Sequence, residues 1–135
     1  MNQKTTAITV LALGIATFGI AKADPTRDAI IAGFAVEAGV PSFSAEDGKA
    51  FFQGNHSGGK PETPSCTPCH TNSPHAAGKT RVGKVIEPMA VSVTPARFTN
   101  PETVAKWFRR NCSSVLGREC SALEKGNILT YLSSL

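Results

Sequence analysis

The sequence is poor in tryptophan and tyrosine and in long apolar runs that could cross a membrane. Its 135 residues include one tryptophan and one tyrosine, so side chains alone supply a modest apolar core. Beyond residue 20, no apolar run approaches the roughly 20 residues that a membrane-spanning helix needs. Internal repeats and segments of alternating apolar and polar residues are also absent, which argues against solenoids and sheet-rich folds.

The first 23 residues predict a secretory signal peptide. Lys4 precedes the apolar stretch 7–20, and Ala21-Lys22-Ala23 forms a small-x-small end. This arrangement is typical of a signal peptide cut before Asp24. A transmembrane anchor is the alternative, but the apolar stretch is roughly 14 residues long and therefore short for a span. We expect export to the periplasm and a single mature domain over residues 24–135.

The most informative motif is Cys66-Thr67-Pro68-Cys69-His70, a C-x-x-C-H signature for covalent attachment of a c-type haem. Thiols at this spacing can both add to the vinyl groups of one porphyrin. The histidine that follows is then held beneath the iron as the proximal axial ligand. The motif predicts one covalent haem c on Cys66 and Cys69, with His70 bound to the iron. What the protein does would then depend on the group opposite His70.

The charged residues form no continuous basic stripe. Removal of Lys4 and Lys22 with the signal peptide lowers the formal net charge from +4 to +2. The scattered cluster of Lys79, Arg81 and Lys84 is interpreted as a solvated face or as partners for haem propionates. The sequence therefore gives no indication of a nucleic-acid partner.

The other two cysteines, Cys112 and Cys120, are expected to form a disulfide in an oxidising compartment. A zinc site that uses all four cysteines is the competing interpretation. The position of His70 and the export signal favour the haem and the disulfide.

Apolar periodicity and capping residues predict an all-α fold with four main helices. The first runs from Pro25 to about Ala38, and the second starts after Ser44 and stops near Gly54. The third begins after Asn100, and the last opens with a capping box at Ser121. Gly48 and Phe52 on the second helix, set against Tyr131 on the last, resemble the terminal-helix crossing of class I cytochromes c.

About thirty residues between His70 and Asn100 show little helical pattern. A loop of this length in a compact domain is usually functional. We expect it to line a haem, which would supply the missing core. Its candidate lining residues are Val82, Val85, Ile86, Pro88, Met89, Ala90, Val91 and Phe98.

Four side chains are candidates for the second axial position. Met89 would make an electron-transfer cytochrome, although a buried methionine is more often a gap filler. His75 lies too close to the proximal ligand in sequence, and His56 lies in a glycine-rich loop. Asn111, which is expected at the end of the third helix, shares the apolar face of that helix with Val104, Trp107 and Phe108. An amide there needs a partner, which is either the iron or the carbonyls at the helix end.

The sequence resembles the sphaeroides haem proteins and their relative cytochrome c″, which are small exported monohaem proteins. The resemblance covers nearly all of the mature chain and is carried by residues 58–70, 80–88, 94–99 and 107–120. In the sphaeroides haem proteins the residue before the first disulfide cysteine is an asparagine bound to ferric iron. In cytochrome c″ that residue is a histidine. The resemblance thus implies that Asn111 is the distal ligand here. Two departures are Met89, where relatives often carry leucine, and Ser113, where relatives carry asparagine.

The resemblance also implies a function. An amide oxygen is a hard donor that suits ferric iron better than ferrous iron, so reduction should release Asn111. The open iron would then bind O₂, NO or a similar small ligand. Electrons would come from other exported or membrane-bound cytochromes. Whether the protein also reduces its ligand stays open, because no general acid or base stands out. The alternative is a plain electron-transfer cytochrome with permanent His70 and Met89 ligation.

Overall fold

The structure is a computed structural model that describes residues 23–135. Residues 1–22, which hold nearly all of the predicted signal peptide, lie outside the described residues. Within residues 23–135, no helix combines the length and the apolar character needed to cross a membrane.

Helices make up most of the regular structure. In chain order the elements are α1 (Pro25–Ala38), α2 (Ala45–Gln53), α3 (Thr67–His70), β1 (Gly78–Lys79), β2 (Val85–Ile86), α4 (Pro101–Leu116) and α5 (Ala122–Ser133). The two strands form an antiparallel pair in which Gly78 lies opposite Ile86.

The ends of the long helices follow capping residues in the sequence. Side-chain oxygens of Asp24, Ser44 and Asn100 accept backbone N–H groups in the first turns of α1, α2 and α4. Gly39 and Gly117 end α1 and α4 in the left-handed conformation, with φ of 66° and 69°. Helices α1, α2 and α5 therefore lie where the sequence predicted them, and α4 begins where it was predicted.

Two short features differ from the prediction of four helices and no strands. The haem-attachment motif itself forms the one-turn helix α3, and the loop that follows contains the β1–β2 hairpin. Elements of four and two residues are too short to show a helical or alternating pattern, so periodicity could not find them.

The predicted place of Asn111 at the end of its helix is also wrong. Helix α4 continues to Leu116, so both Asn111 and Cys112 lie inside it. The helix ends only where Gly117 allows the left-handed turn. Asn111 is therefore not positioned to cap the last carbonyls of α4, which removes the structural role that the sequence left open for it.

The core is built on the crossing of α2 and α5. A Cβ atom at Gly48 would overlap the backbone carbonyl of Asn127 and lie 2.9 Å from Cβ of Tyr131. The two helices therefore touch backbone to backbone, as a glycine permits. The Phe52 ring fills the space beside this contact, with its centroid 6.0 Å from that of Tyr131. The predicted packing of Gly48 and Phe52 against Tyr131 is confirmed.

The interactions of Glu124 at the N-terminus of α5 should make the free energy of unfolding depend on pH. Ser121 and Glu124 form a reciprocal capping box, and Arg118 donates to both carboxylate oxygens of Glu124 at 2.9 and 2.8 Å. The hydrogen bonds from Arg118, more than any other cause, lower the pKa of Glu124 from 4.5 to about 2. The folded state thus favours the ionised carboxylate. Its contribution is present above about pH 4.5 and is lost as the pH falls toward about 2.

Glutamine can still accept the capping hydrogen bond but carries no charge. We therefore expect Glu124→Gln to lower the free energy of unfolding by about 0.5–1 kcal/mol at neutral pH, mainly through the lost ion pair with Arg118. The difference from the original protein should shrink toward zero as the pH is lowered through the same range. Urea unfolding of both proteins at several pH values measures this difference. A gap that stays constant down to the lowest pH would contradict the assignment.

Candidate haem site

Helix α3 brings the two motif thiols to one wall of a cavity. Cys66 precedes the helix and Cys69 lies three residues later, so one turn places both on the same side. Both are free thiols. Burial, with a smaller effect of Cys69, raises the pKa of Cys66 to about 11, so it is a protonated thiol at neutral pH.

His70 ends the same helix with an unused ring nitrogen. Its Nδ1 atom is buried and has no hydrogen-bond partner among residues 23–135. Burial, followed by the nearby charge of Arg97, lowers the pKa of His70 to about 4. The imidazole is therefore neutral at pH 7, which is the form that binds a metal. The Phe52 ring lies 6.2 Å away between centroids, and so the α2–α5 core supports this side chain.

A cavity of about 720 Å³ opens beside these residues. Its walls are mainly apolar side chains of α2, α4, α5 and the loop, among them Phe51, Phe52, Ile86, Phe98, Val104, Trp107, Phe108, Ile128 and Leu132. This size lies in the range of about 300–1,000 Å³ for cofactor sites. Two free thiols, a buried imidazole nitrogen without a partner and a large apolar cavity fit a covalently attached haem. Cys66 and Cys69 could hold it, and His70 could bind its iron.

Of the four distal candidates, Asn111 and Met89 line this cavity, and His56 and His75 do not. The Nε2 atom of His56 lies 2.8 Å from the carbonyl oxygen of Phe51, so its N–H donates there. His75 is exposed to solvent. The candidates are thus reduced to two.

Asn111 and Met89 differ in their surroundings. Asn111 is exposed within the cavity wall, and its carboxamide has no hydrogen-bond partner in the described part of the chain. Val104, Trp107 and Phe108 line the same cavity, as expected from their common helix face. Met89, which is partly buried, instead packs against the buried cluster that contains Phe52. The side chain of Asn111 is therefore less engaged in contacts with other residues than that of Met89.

The loop between α3 and α4 lines the cavity only in part. Val82, Val85, Ile86, Met89 and Phe98 contribute to the wall, whereas Pro88, Ala90 and Val91 do not. Ala90 is 0% exposed and Val91 is 2% exposed within the protein core. The Val91 N–H donates to the Leu132 carbonyl at 3.2 Å, which turns this segment toward α5 and away from the cavity.

Two arginines that sequence reasoning missed shape the same loop. Arg97 lines the cavity and donates to the carbonyls of Pro88 and Glu87 at 3.0 and 2.6 Å. Arg27, only 3% exposed, donates in turn to the Arg97 carbonyl at 3.0 Å. Arg27 lies four residues before Ile31 on the inner face of α1, so helical periodicity could have found it. Nothing in the sequence pattern indicates the contacts of Arg97.

The three residues of the basic cluster near the hairpin differ in their distance from the cavity. Arg81 and Lys84 line the cavity, and Lys79 does not. Arg81 also forms an exposed ion pair with Glu62 at 2.6 Å.

The predicted disulfide is present. Cys112 and Cys120 are bonded, with Cα atoms 5.5 Å apart, and they are 4% and 5% exposed. The bond packs against Val115 and Leu116. Because these two cysteines are paired, the alternative zinc site has lost half of its ligands. Within residues 23–135 no cluster of histidine, cysteine and acidic side chains could hold a metal ion.

Comparison with known proteins identifies relatives along most of the chain. Residues 38–132 match a family described as a domain of unknown function, DUF1924. Cytochrome c-type protein SHP of Cereibacter sphaeroides is 47% identical over 125 residues, which are 92% of this chain and 96% of that protein. Cytochrome c″ of Methylophilus methylotrophus is 40% identical over 90 residues, which are 66% of this chain and 62% of the relative.

Solved structures agree with these relatives. The structure of oxidised SHP, an oxygen-binding cytochrome c, matches with a TM-score of 0.79. The match covers 84% of this chain and 100% of the SHP chain. Oxidised cytochrome c″ has a TM-score of 0.65 at 32% identity, over 79% of this chain and 92% of the other.

Proposed function

Because this chain belongs to the family of c-type cytochromes that includes SHP and cytochrome c″, we propose that it carries electrons and binds a small ligand at a site opened by reduction. The family makes it a monohaem c-type cytochrome. The finer proposal concerns four residues. Cys66 and Cys69 would attach the haem, His70 would bind its iron, and Asn111 would be a second ligand while the iron is ferric.

One observation carries the proposal: the unpartnered carboxamide of Asn111 lines the same cavity as His70. A buried amide needs a polar partner, and a haem that fills this cavity would cover Asn111. No side chain or backbone group among residues 23–135 hydrogen-bonds to this carboxamide, and the iron would be a partner of suitable chemistry.

Each part of the site would then have a separate role. Bound at this site, the haem supplies an iron that exchanges one electron and takes a diatomic ligand in its ferrous state. His70, neutral because of its burial, holds its position in both oxidation states. The Asn111 oxygen, a hard donor, would favour the ferric state and would be released on reduction. The apolar side chains around it exclude water from the position that it leaves.

The proposed setting is the periplasm, with O₂, NO or a similar small molecule as the ligand. This rests on the signal-like residues 1–23 and on the family. SHP itself is described as an oxygen-binding cytochrome. Electron donors would be other exported or membrane-bound cytochromes.

A second candidate function is plain electron transfer with permanent ligation by Met89. It is supported by the place of Met89 in the cavity wall. Its packing against the Phe52 cluster agrees better with a gap filler, since methionine adapts to irregular core space.

Visible spectra of the haem-loaded protein test the proposal. We expect the dithionite-reduced form to show a broad high-spin band that changes when carbon monoxide is added. The control variant Met89→Leu should give the same spectra, because leucine keeps the packing and cannot bind iron. A sharp low-spin α band that is indifferent to carbon monoxide, and that is lost in Met89→Leu, would favour the second candidate.

A further inference from the structure

Residues 58–63, here called the clamp segment, bind the C-terminal turn of α4. The Lys60 N–H donates to the Ser114 carbonyl at 2.7 Å, and the hydroxyl of Thr63 donates to the same oxygen at 3.0 Å. Ser114 is among the last four residues of α4, whose carbonyls lack partners within the helix. The clamp segment therefore caps α4 from a distant part of the chain.

The contact is made backbone to backbone. A Cβ atom at Gly59 would overlap the carbonyls of Ser114 and Val115. One at Gly117 would overlap the carbonyl of Gly58. Thr63 is 9% exposed, so its hydrogen bond is shielded from water. Small shifts of α4 relative to the clamp segment are therefore costly, since neither side has a flexible side chain that could yield.

The loop that carries the clamp segment is closed at its base. The His56 N–H donates to the Pro64 carbonyl at 2.7 Å, and the His56 ring donates to the Phe51 carbonyl at 2.8 Å. Thr63 lies three residues before Cys66, and Ser114 lies three residues after Asn111. The clamp segment thus connects the haem-attachment turn directly to the helix that carries the distal candidate.

We infer that Thr63 is a positioning residue for Asn111, acting through the Ser114 carbonyl. By holding the backbone of α4 at a fixed distance from the attachment turn, the clamp segment limits the exchange of Asn111 to rotation of its side chain. The carboxamide can then return when the iron is oxidised. This inference rests on the proposed function, because it presumes that Asn111 binds ferric iron.

A double-mutant cycle tests the inference. The association rate of cyanide with the ferric protein is measured by stopped-flow absorbance in Thr63→Val, Asn111→Ala and the combined variant. External ligands enter when Asn111 is detached, so the rate reports the detached fraction. We expect Thr63→Val to accelerate association about two- to tenfold, the range that one neutral hydrogen bond corresponds to. In the Asn111→Ala background the same change should have no effect.

Two matched variants complete the design. Thr63→Ser keeps the hydroxyl and should restore the original rate and ferric spectrum. Ser134→Ala removes a hydroxyl-to-carbonyl bond of 2.7 Å at the far end of α5 and should change neither. If Thr63→Val does not take up haem, Thr63→Ala replaces it, since it removes the hydroxyl without adding an apolar group in its place.

The possible outcomes distinguish a failure of the role inferred for Thr63 from a failure of the proposed function. Unchanged rates in Thr63→Val, with faster association in Asn111→Ala, would overturn the role of Thr63 and leave the proposed function standing. No effect of Asn111→Ala would refute the proposed function itself. Equal acceleration by Thr63→Val in both backgrounds would show that Thr63 controls access to the cavity and not Asn111, which also overturns the inference.

Discussion

Replacing Asn111 with alanine is expected to leave the ferric protein without an internal sixth ligand. Alanine has no donor atom, so the side chain at position 111 could no longer bind the iron. The ferric spectrum should change to a high-spin or water-ligated form. The apparent affinity for cyanide should rise about tenfold or more, since an internal ligand bound in nine of ten molecules reduces it about tenfold. Titration of the ferric protein with cyanide measures the effect.

The same variant should be easier to reduce. A ligand that stabilises the ferric state tenfold lowers the reduction potential by about 59 mV for a one-electron couple. Its removal should therefore raise the midpoint potential by about 60 mV or more. Asn55→Ala, an exposed asparagine that does not line the cavity, serves as the matched control and should alter neither quantity. A midpoint potential and a ferric spectrum equal to those of the original protein would exclude Asn111 as the ligand.

Much of this site was accessible from the sequence because its signals are local. The attachment motif is five contiguous residues, and the ends of the long helices depend on caps such as Asp24 and Asn100, whose preferences act within one turn. The shared face of Trp107 and Asn111 follows from the period of the helix alone. Such features need no knowledge of the remaining fold.

Other features depend on contacts between distant segments, which a single sequence does not encode in a readable form. Arg97 acts through carbonyls that its own loop brings within reach, and Arg27 acts across 70 residues. Ala90 and Val91 have the composition of cavity-lining residues, yet hydrogen bonds to Pro74 and Leu132 place them in the core. The clamp segment has the composition of a surface loop, and its fit to α4 is visible only in the structure.

A hydrogen-bonded cap and a disulfide both hold the C-terminal part of α4. The clamp segment caps the Ser114 carbonyl, and the disulfide from Cys112 ties the helix to the start of α5. Because Cys112 is the neighbour of Asn111, the disulfide also bears on the proposed ligand exchange. We expect it to limit how far Asn111 can move after reduction.

Removing the disulfide should therefore have two separable effects. The double variant Cys112→Ala, Cys120→Ala opens a nine-residue loop, which should lower the free energy of unfolding by roughly 2.6 kcal/mol in the chain-entropy model. For a domain of this size, such a loss corresponds to a fall in melting temperature of about 10–20 °C. Thermal unfolding followed by circular dichroism measures it. The double variant is preferable to a chemical reductant, since a reductant would also reduce the iron.

The second effect is a shift in ligation. If the disulfide restrains Asn111, the oxidised double variant should bind cyanide more readily than the original protein, with a partly high-spin ferric spectrum at temperatures where it remains folded. The single variants Cys112→Ala and Cys120→Ala, each of which lacks the bond, should give the same shift and thereby exclude a local effect of either substitution. A lower melting temperature with an unchanged ferric spectrum and cyanide affinity would limit the disulfide to a stabilising role. Asn111 would then depend for its position on the clamp segment and on the packing of α4 alone.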